Sequence, residues 1–298
     1  MFKISQGRIV ITGATGGLGS EIARQLLHIA PASLLGVSVR DPARAEPLRE
    51  AGVRVRHGDF DDPATLDDAF EGAKSLLIIS TRGDNKRRVV QHRNAIEAAK
   101  RAGVQHLYYT SIVQRAGSKF LPAEGHLQTE ADLAASGLAY TIFRNGQYIE
   151  NLPLFLGSSI ETGDLALPPD GPVAWVARTD LAEGIARAML SGDRPQASLL
   201  LTGPESLDFD DIAGIASSII GQPIRRRVID STGYAQTLVS NGAPEGLAAV
   251  LASGFESRAA GELALVDPAL REMLGRSLLT VEDVLPELLF KTAKPQAV

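Results

Sequence analysis

Short apolar runs alternate with amphipathic segments along the first half of the chain. Six such runs, each bounded by turn residues, predict buried β-strands at 8–12, 34–39, 53–57, 75–80, 105–111 and 140–144. Between the runs, apolar residues recur at helical spacing, as in Leu18, Ile22 and Leu26, which would place one apolar stripe against a sheet. Strands and helices that alternate in this way favour a parallel sheet with helices on both faces. The pattern therefore predicts an α/β fold with a doubly wound parallel sheet.

This rhythm changes after residue 144. Residues 145–175 are rich in Gly, Pro and Asn. Regular patterns then return as a helix at 179–190, a strand at 199–202, a helix at 208–220 and a strand at 224–229. We predict one domain over residues 1–150 and a smaller C-terminal α/β lobe over residues 151–298, with some segments of the lobe returning to the first sheet. The lobe is expected over the carboxyl edge of the sheet, where open α/β sheets bind ligands, and the tail at 291–298 is expected to fray.

The first predicted strand runs into a glycine-rich turn, TGATGGLG, which opens the first predicted helix. Its glycines Gly13, Gly16 and Gly19 are spaced three apart. Free amides and the positive end of the helix dipole favour an anion at this place, and a pyrophosphate fits it. Glycine permits the unusual dihedrals, the close approach of the ligand and the tight helix packing that such a turn needs. We predict that a dinucleotide contacts the turn at Gly13, Thr15, Gly16, Gly17, Leu18 and Gly19; the alternative is that the glycines only make a tight turn.

The end of the second predicted strand indicates which dinucleotide binds. An NAD-preferring fold places an acidic residue there to bond the ribose hydroxyls. This chain has Arg40, followed by Arg44 about one helical turn later. A guanidinium pairs with a 2'-phosphate, which an acidic residue would repel. We therefore predict NADP(H) as the coenzyme, with a solvated surface arginine as the alternative.

Other candidate contacts follow the third, fourth and fifth predicted strands. Asp59 and Phe60 lie where an adenine is expected, the carboxylate near its amino group and the ring over its face. Asp59 could equally be a residue that shapes the loop. Ser80 and Thr81 could touch ribose or phosphate, and Ser111 comes next along the sheet edge. Each of these hydroxyls could instead cap a helix.

Composition narrows the classes of function. A net charge of -5 and a pI near 5.6 argue against a nucleic-acid partner. The absence of cysteine excludes disulfides, thiolate metal sites and thiol catalysis, and the five histidines, at positions 28, 57, 92, 106 and 126, have no metal-ligand spacing. The first eight residues lack an apolar signal core, and no apolar run approaches the ~20 residues that span a bilayer. We expect a cytoplasmic protein with a small-molecule substrate, no metal, and no membrane or nucleic-acid partner.

Seven motifs stand out together: TGATGGLG, the arginine that ends the second strand, GDFDD at 58–62, QHRNAIEAAKRAGV at 91–104, YTS at 109–111, HLQTEADLAASGLAYTIFRNGQYIEN at 126–151 and ARTDLA at 177–182. As a set they resemble the NmrA-like branch of the atypical short-chain dehydrogenase/reductase superfamily. Within that branch the chain is most similar to bacterial NADPH-dependent quinone reductases, and next to triphenylmethane dye reductases. The resemblance implies a Rossmann-type domain, NADPH over the glycine turn, a cleft roofed by the C-terminal lobe, and a monomer or homodimer.

One departure from the superfamily bears on mechanism. The usual members reduce ketones with a Tyr-x-x-x-Lys pair, in which the lysine lowers the pKa of the tyrosine so that it can protonate the alkoxide. None of the five tyrosines of this chain is followed four residues later by lysine. An enzyme without this acid should favour acceptors whose reduced product is a stabilised anion or a neutral leuco dye. Hydride transfer then depends mainly on orientation and desolvation over the nicotinamide.

Several residues are candidates for contact with the acceptor. In related phenylpropanoid ether reductases a lysine lies near the start of the helix before the last Rossmann strand, and His126 lies at about that place. His126 could donate a hydrogen bond or a proton to a quinone oxygen, or it could only order a loop. Asn145 or Gln147 could bond the carboxamide or the substrate. Tyr148 could stack on a planar ring, and with His126 it is a candidate catalytic residue.

Further along the chain, Asn151 and Trp175 could line the same cleft, although a single tryptophan is more typical of a core. Arg178 and Asp180 are interpreted as a cap and surface pair at a helix start. The predicted function is reduction of a quinone or similar planar conjugated acceptor by NADPH. The alternatives are a non-catalytic NmrA-like redox sensor that binds dinucleotide, and a reductase of triphenylmethane dyes or another small molecule.

Overall fold

The computed structural model describes residues 7–191 and 197–292, without the side chains of the last two. Within these ranges the chain forms nine β-strands: β1 (Arg8–Thr12), β2 (Leu35–Val39), β3 (Arg54–His57), β4 (Ala73–Ile79), β5 (His106–Ile112), β6 (Ala139–Asn145), β7 (Asp164–Leu167), β8 (Ala197–Leu201) and β9 (Arg225–Val228). The six strands predicted up to residue 144 are confirmed to within two residues at each end.

Thirteen α-helices complete the described part of the chain: α1 (Gly17–Ile29), α2 (Glu46–Glu50), α3 (Leu66–Phe70), α4 (Asn85–Arg101), α5 (Ala123–Ala135), α6 (Leu152–Leu156), α7 (Ser159–Thr162), α8 (Arg178–Leu190), α9 (Phe209–Ile220), α10 (Ser231–Ser240), α11 (Glu245–Ala259), α12 (Ala269–Leu274) and α13 (Val281–Thr292). Residues 291 and 292 of the tail belong to α13, and the rest of the tail that was expected to fray lies outside the described residues.

The chain folds into two compact units. Unit 1 consists of Met1–Ile112, Glu124–Asn145 and Leu181–Leu200, and unit 2 of Val113–Ala123, Gly146–Asp180 and Leu201–Val298. The chain leaves unit 1 after Ile112, returns at Glu124 and leaves again after Asn145, whereas the sequence analysis predicted a single boundary after residue 150. Most of α8 and β8 belongs to unit 1, because β8 extends the main sheet beside β6.

Unit 1 is built on a seven-stranded sheet in the order β3-β2-β1-β4-β5-β6-β8. Neighbouring strands from β3 to β6 run parallel, with register pairs such as Ile9 with Leu35 and Ser75 with His106. The order reverses between β1 and β4, which is the arrangement of a Rossmann-type doubly wound sheet. The predicted fold class is thus confirmed.

The main sheet of unit 1 packs on helices through alternate residues of its strands. One face presents Val10, Leu76 and Leu107, all fully buried. These side chains pack with residues of α3, α4 and α5, among them Leu66, Ala95, Ala99 and Leu133. Side chains alternate between the two faces of a sheet, so burial of this face sets the register of the strands. The register in turn determines which residues lie at the carboxyl ends of the strands.

Unit 2 has its own core and a two-stranded parallel sheet in which β7 pairs with β9, Asp164 opposite Arg225. α9 lies at the predicted position. Asp208 caps it, accepting hydrogen bonds from the amides of Asp210 and Asp211, while the Asp211 side chain accepts from the Asp208 amide. This reciprocal arrangement satisfies amides that the first turn of a helix leaves free.

Candidate functional site

The turn between β1 and α1 has a backbone that requires glycine. Gly13 has a φ of +63°, in the left-handed region that side chains disfavour. Its carbonyl accepts a hydrogen bond from the Gly16 amide at 3.0 Å. A Cβ built on Gly19 would lie 2.3 Å from that carbonyl oxygen. The spacing noted in the sequence thus has a steric basis: Gly13 turns the chain, and Gly19 lets α1 pack directly on the turn.

The N-terminus of α1 offers backbone donors to a ligand. Its N-cap is Gly16, with no side-chain cap and no acidic residue in the first turn. Helix geometry leaves the amides of Gly17, Leu18 and Gly19 without intrahelical acceptors. Gly16 and Gly17 are exposed, and Thr15 is half-buried beside them. An anion satisfies such donors and is favoured by the helix dipole, so the turn fits the pyrophosphate of a dinucleotide.

A buried threonine, Thr12, connects the end of β1, where the glycine turn begins, to the end of β4. Thr12 Oγ1 donates to the Leu77 carbonyl at 3.2 Å and accepts from the Ile79 amide at 3.0 Å. This hydroxyl therefore joins the ends of β1 and β4 side by side. Sequence analysis did not single out Thr12, because a threonine at a strand end gives no pattern of its own.

Arg40 follows β2 and its side chain is exposed, as is that of Arg44. In the described part of the chain neither guanidinium forms an ion pair or a hydrogen bond. The neighbouring Asp41 carboxylate accepts from the Ala43 amide at 3.0 Å, and His57 Nδ1 donates to the Arg40 carbonyl at 3.1 Å. Two guanidinium groups at the end of β2 are thus available to a phosphate.

The loop after β3 is shaped by Asp59. Its Oδ1 accepts from the Asp61 amide at 3.0 Å, and its own amide donates to Thr65 Oγ1 at 2.9 Å. These bonds support the loop-shaping alternative for Asp59. Phe60 is 8% exposed, and its ring meets the His92 ring edge-on at 6.4 Å. Most of the Phe60 ring is therefore used in packing within unit 1.

The loop after β4 is held by side chains of α4. The Thr81 amide donates to His92 Nε2 at 3.1 Å, and the Thr81 carbonyl accepts from Arg88 Nε at 3.0 Å. Arg88 also donates to the Gly83 carbonyl at 3.1 Å. The Ser80 amide donates to Thr110 Oγ1 at 3.0 Å. The backbone of Ser80 and Thr81 is thus held by hydrogen bonds from β5 and from α4.

His92 is fully buried and electrically neutral. Since Nε2 accepts from Thr81, Nδ1 carries the proton and donates to Thr129 Oγ1 at 2.9 Å. Thr129 Oγ1 in turn donates to the Gly125 carbonyl at 2.9 Å. Burial, together with the charge of Arg88, lowers the pKa of His92 to about 3. The His92 ring is therefore uncharged in neutral solution and links the Thr81 amide to the Thr129 hydroxyl through two hydrogen bonds.

The QHRN segment that opened one of the sequence motifs supports both loops. Gln91 Nε2 donates to Asp61 Oδ2 at 2.8 Å, and Asn94 Nδ2 donates to the Phe60 carbonyl at 2.8 Å. Hydrogen bonds from Arg87 and Gln91 lower the pKa of Asp61. One helix thus positions the loops after β3 and β4, where four of the predicted contact residues lie. Sequence analysis named the motif but not this role.

Ser111 is buried, and its hydroxyl is used within unit 1. Ser111 Oγ donates to Glu130 Oε1 at 2.6 Å. Arg144 donates to both oxygens of the same carboxylate, Nε at 3.1 Å and Nη2 at 2.5 Å. Asn145, also buried, is the last residue of β6 and pairs with Ile112. Glu130 therefore fixes the ends of β5 and β6, a role that the sequence did not reveal.

His126 lies in the first turns of α5, as the sequence predicted, and is 4% exposed. Its Nδ1 lies 2.7 Å from the Tyr109 hydroxyl. Burial, with the charges of Arg88 and His92, lowers the pKa of His126 well below its ordinary value, and burial raises the pKa of Tyr109. Both groups are therefore neutral near pH 7. A neutral imidazole can donate a hydrogen bond, but it is a poor source of a proton.

In unit 2, the segment that follows β6 presents the candidate acceptor contacts. The Gln147 carbonyl accepts from the Val176 amide at 2.9 Å. Gln147, Tyr148 and Asn151 are half-buried. The Arg178 guanidinium carbon lies 5.4 Å from the centroid of the Tyr148 ring. This distance is within the range of a cation–π contact.

Trp175 belongs to the core of unit 2. It is 1% exposed, and its Nε1 donates to the Leu207 carbonyl at 3.1 Å. Its ring packs edge-on against Phe209 at 5.9 Å and Phe155 at 6.4 Å. This position supports the core alternative for Trp175 rather than a place in a cleft.

The pairing predicted for Arg178 and Asp180 at the start of α8 is wrong. The Arg178 amide donates to Glu150 Oε1 at 2.9 Å, so Glu150 caps the helix. Asp180 is fully buried rather than at the surface, and it accepts from Arg276 Nη2 at 2.7 Å and from the Leu279 amide at 2.7 Å. The cause is a partner about a hundred residues away, which no local pattern shows.

No group of three or more His, Asp or Glu side chains within residues 7–191 and 197–292 has an arrangement that could hold a metal ion. Across the same ranges, every helix is too short or too polar to cross a bilayer.

Comparisons with known proteins extend this description. The NmrA-like family profile matches residues 5–273. The NmrA-like family domain-containing oxidoreductase of Aspergillus flavus is 34% identical to this chain over 291 residues, which cover 95% of each protein.

Two solved structures are also similar to the chain. The NADPH-dependent quinone oxidoreductase of Escherichia coli complexed with NADPH has a TM-score of 0.90 and 33% identity, over 94% of this chain and 99% of that one. The Citrobacter sp. triphenylmethane reductase complexed with NADP(H) has a TM-score of 0.88 and 31% identity, over 94% of this chain and 99% of that one.

Proposed function

This chain belongs to the NmrA-like family, and we propose that it is an NADPH-dependent reductase of quinones or similar planar conjugated acceptors. The proposal is carried by two features of unit 1: the amides at the start of α1 have no intrahelical acceptors, and the Arg40 and Arg44 guanidinium groups form no ion pair or hydrogen bond within the described residues. The predicted family, oxidoreductase class and coenzyme are confirmed by relatives named as an oxidoreductase and as complexes with NADPH or NADP(H).

Different residues of unit 1 would hold different parts of the coenzyme. The amides of Gly17, Leu18 and Gly19 would hold the pyrophosphate, whose negative charge they and the helix dipole stabilise. Arg40, with Arg44, would hold the 2'-phosphate. Thr81 and its neighbour would contact ribose or phosphate from a loop that α4 keeps rigid. When bound, NADPH supplies the hydride; the protein supplies position and a dry environment.

The acceptor is proposed to be a quinone-like molecule because the chain lacks a strong acid at its candidate site. If the Tyr109 hydroxyl donates to His126 Nδ1, the neutral ring carries its proton on Nε2 and donates it as a hydrogen bond to an acceptor oxygen. Such a bond stabilises the negative charge that develops on this oxygen without transferring a proton. This suits a quinone, whose reduced form is a stabilised anion, better than a simple ketone.

Side chains of unit 2 would contact the same class of acceptor. Tyr148 would pack its ring on a flat conjugated molecule. Gln147 and Asn151 would contribute polar contacts from half-buried positions. These roles rest on residue type and exposure, and they agree with the quinone and dye named for the two solved relatives.

The proposal is tested by mixing the purified protein with NADPH and a panel of benzoquinones, naphthoquinones and one triphenylmethane dye. We expect loss of the reduced nicotinamide absorbance with at least one quinone. Faster reaction with the dye would instead favour a dye reductase, and inert behaviour with tight NADPH binding would favour the redox sensor. A matched control is Gly19→Val, which should abolish both binding and turnover because any side chain there meets the Gly13 carbonyl.

A further inference from the structure

Arg178, the first residue of α8, carries a positive charge that the rest of unit 2 does not neutralise by direct contact. The residue is half-buried, and within the described part of the chain its guanidinium forms no hydrogen bond and no ion pair. Its side-chain nitrogens are not enclosed by protein atoms. The N–H groups of this arginine are therefore accessible to a ligand.

Two paired backbone segments fix Arg178 beside Tyr148. Tyr148 and Val176 form an isolated parallel bridge. The Ile149 amide donates to the Val176 carbonyl at 3.0 Å, and the Val176 amide donates to the Gln147 carbonyl at 2.9 Å. Since Arg178 follows Val176 by two residues, this pairing brings it next to Tyr148. The position of the charge is thus set by main-chain hydrogen bonds within unit 2.

The contact with Tyr148 holds the guanidinium without using its donors. Its central carbon lies 5.4 Å from the centroid of the Tyr148 ring, a distance at which the ring attracts a cation. The ring carbons offer no lone pair to the N–H groups. Arginine presents these groups as a flat fork that matches the two oxygens of a carboxylate. Arg178 is therefore positioned to bind an anion.

The acidic residues closest to Arg178 in the sequence are engaged with other groups. Both carboxylate oxygens of Glu150 accept from the Arg178 amide, at 2.9 and 3.2 Å. Asp180 accepts from Arg276 Nη2 and from the Leu279 amide, each at 2.7 Å. Glu150 thus caps the helix, and Asp180 joins two distant segments of unit 2. The side chain of Arg178 gains an ionic partner from neither.

Arg226 shows how a structural arginine of unit 2 differs from Arg178. The Arg226 side chain is 6% exposed and pairs with Asp170 and, at 2.9 Å, with Asp210. Removing a charge from water is costly unless it gains such partners. Arg178 has lost part of its hydration and has gained one aromatic ring. An anionic ligand would supply the partner that the chain does not.

We propose that Arg178 binds a carboxylate or sulfonate group on the planar acceptor whose ring packs on Tyr148. This inference rests on the proposed function, in which Tyr148 contacts the acceptor, and it narrows the acceptor class to conjugated rings that carry a negative charge. The anionic group accepts hydrogen bonds from the guanidinium. These bonds fix the ring in one orientation, which hydride transfer requires. Arg178 is thus a specificity-determining residue.

The first test measures binding without turnover, in protein saturated with NADP⁺. The calorimetric probes are 2-naphthoate and its neutral counterpart 2-naphthamide. The carboxylate should bind about tenfold more tightly or better, because only it pairs with a cation. Arg178→Gln should remove this preference, and Arg178→Lys should keep part of it, since the charge remains but the fork is lost. Both variants keep the backbone amide that Glu150 caps.

The matched control is Arg271→Gln, which removes an exposed charge from α12 of the same unit. It should leave the preference for 2-naphthoate unchanged. An equal loss of preference in Arg271→Gln and Arg178→Gln would assign the effect to net charge and would overturn the proposal.

The second test compares two quinones under steady-state turnover with NADPH. Arg178→Gln should raise KM for 1,4-naphthoquinone-2-sulfonate about tenfold and change KM for the uncharged 2-methyl-1,4-naphthoquinone little. A rise in KM with kcat nearly unchanged indicates a lost binding contact. Equal rises in KM for both quinones would make Arg178 a structural residue and would contradict its role in specificity.

The two proposals fail in different ways. If the unaltered protein does not prefer 2-naphthoate to 2-naphthamide, or if Arg178→Gln keeps the preference, the role of Arg178 is wrong even when quinones are reduced. A protein that reduces neither quinone yet binds 2-naphthoate through Arg178 would contradict the proposed function and support the anion contact.

Discussion

Unit 1 and unit 2 each bury an arginine, and the two are treated in opposite ways. Arg88 is 5% exposed and donates to two backbone carbonyls and to Asn85 Oδ1 at 2.7 Å. Arg258 is 3% exposed and has no acceptor for its buried Nε and Nη1. Burial lowers the pKa of both. The difference teaches that a buried cation can be held by hydrogen bonds to a loop or by packing among aromatic rings.

The same contrast extends to the surrounding side chains. In unit 1, His92, Thr129, Tyr109 and His126 form hydrogen bonds with one another or with backbone groups. Satisfied polar networks rigidify a core, and the loops they hold are those predicted to contact the coenzyme. In unit 2 the core around Arg258 is aromatic instead. The buried arginine of unit 1 thus lies in a hydrogen-bonded network, and Arg258 of unit 2 lies among aromatic rings.

The largest expected effect concerns the buried histidines of unit 1 at low pH. The pKa of His92 is lowered to about 3, so the unfolded chain takes up a proton below pH ~6.5 and the folded one does not. Stability is therefore full above pH ~6.5 and falls as pH decreases, by about 1.4 kcal/mol per pH unit for this group. Urea unfolding between neutral pH and pH ~4.5 measures how the free energy of unfolding changes with pH. This change should be smaller in His92→Gln, whose amide can make both hydrogen bonds but does not titrate.

A control keeps this result specific to burial. His28→Gln replaces an exposed histidine of α1 and should leave the slope unchanged. An equal slope in His92→Gln and the unaltered protein would show that His92 is protonated in the folded state, and would remove it from the rigid network.

The next effect tests the two arginines directly. Arg88→Met should lower the free energy of unfolding by about 3 kcal/mol, because the carbonyls of Thr81 and Gly83 and the Asn85 side chain lose a charged donor. Arg258→Met should change the free energy of unfolding in the opposite direction, because it removes a buried charge whose Nε and Nη1 meet no acceptor in the described residues. Denaturant unfolding of the two variants measures both free energies of unfolding. Changes of the same sign would contradict the contrast between the two arginines.

An exposed cation supplies a third case. Arg40→Asp should weaken NADPH binding by about a hundredfold and affect NADH little, because a charged pair with the 2'-phosphate is replaced by repulsion. Titration with both coenzymes measures the ratio. Lys100→Asp, an exposed charge reversal at the end of α4, is the matched control. Unchanged selectivity would show that Arg40 does not contact the phosphate.

The smallest effect concerns His126. His126→Ala should lower kcat with a quinone about tenfold, since one hydrogen bond to the acceptor is lost, and should leave the NADPH dissociation constant unchanged. Steady-state kinetics and a separate coenzyme titration distinguish the two quantities. A loss of coenzyme affinity at constant kcat would instead assign His126 to the support of the neighbouring loops.

Local features of this protein were predictable from its sequence, and distant partnerships were not. The glycine turn was found because Gly13 and Gly19 interact within a few residues, and the strands because apolar runs report burial directly. Asp180 was misplaced because its partner Arg276 is 96 positions away. Glu130 was missed because it joins Ser111 and Arg144, which lie on two strands.

Asp62 followed by Pro63 is typical of a helix start, and this dipeptide shows a second limit. Pro63 begins a single 3₁₀ turn, Asp62 makes no side-chain cap, and α3 starts only at Leu66. The Thr65 hydroxyl instead donates to the Asp62 carbonyl at 2.7 Å. The same residue types are typical of an α-helix start and of a separate turn, so the sequence pattern did not distinguish the two structures.

The glycine turn has a consequence for how this protein could diversify. In our proposal, the linker common to both nicotinamide coenzymes is held by main-chain amides, whereas Arg40 alone discriminates between them. Mutation can alter a side chain but cannot remove an amide without proline. On this proposal, selection or engineering at position 40 would reverse the coenzyme preference and leave the attachment of the coenzyme unchanged.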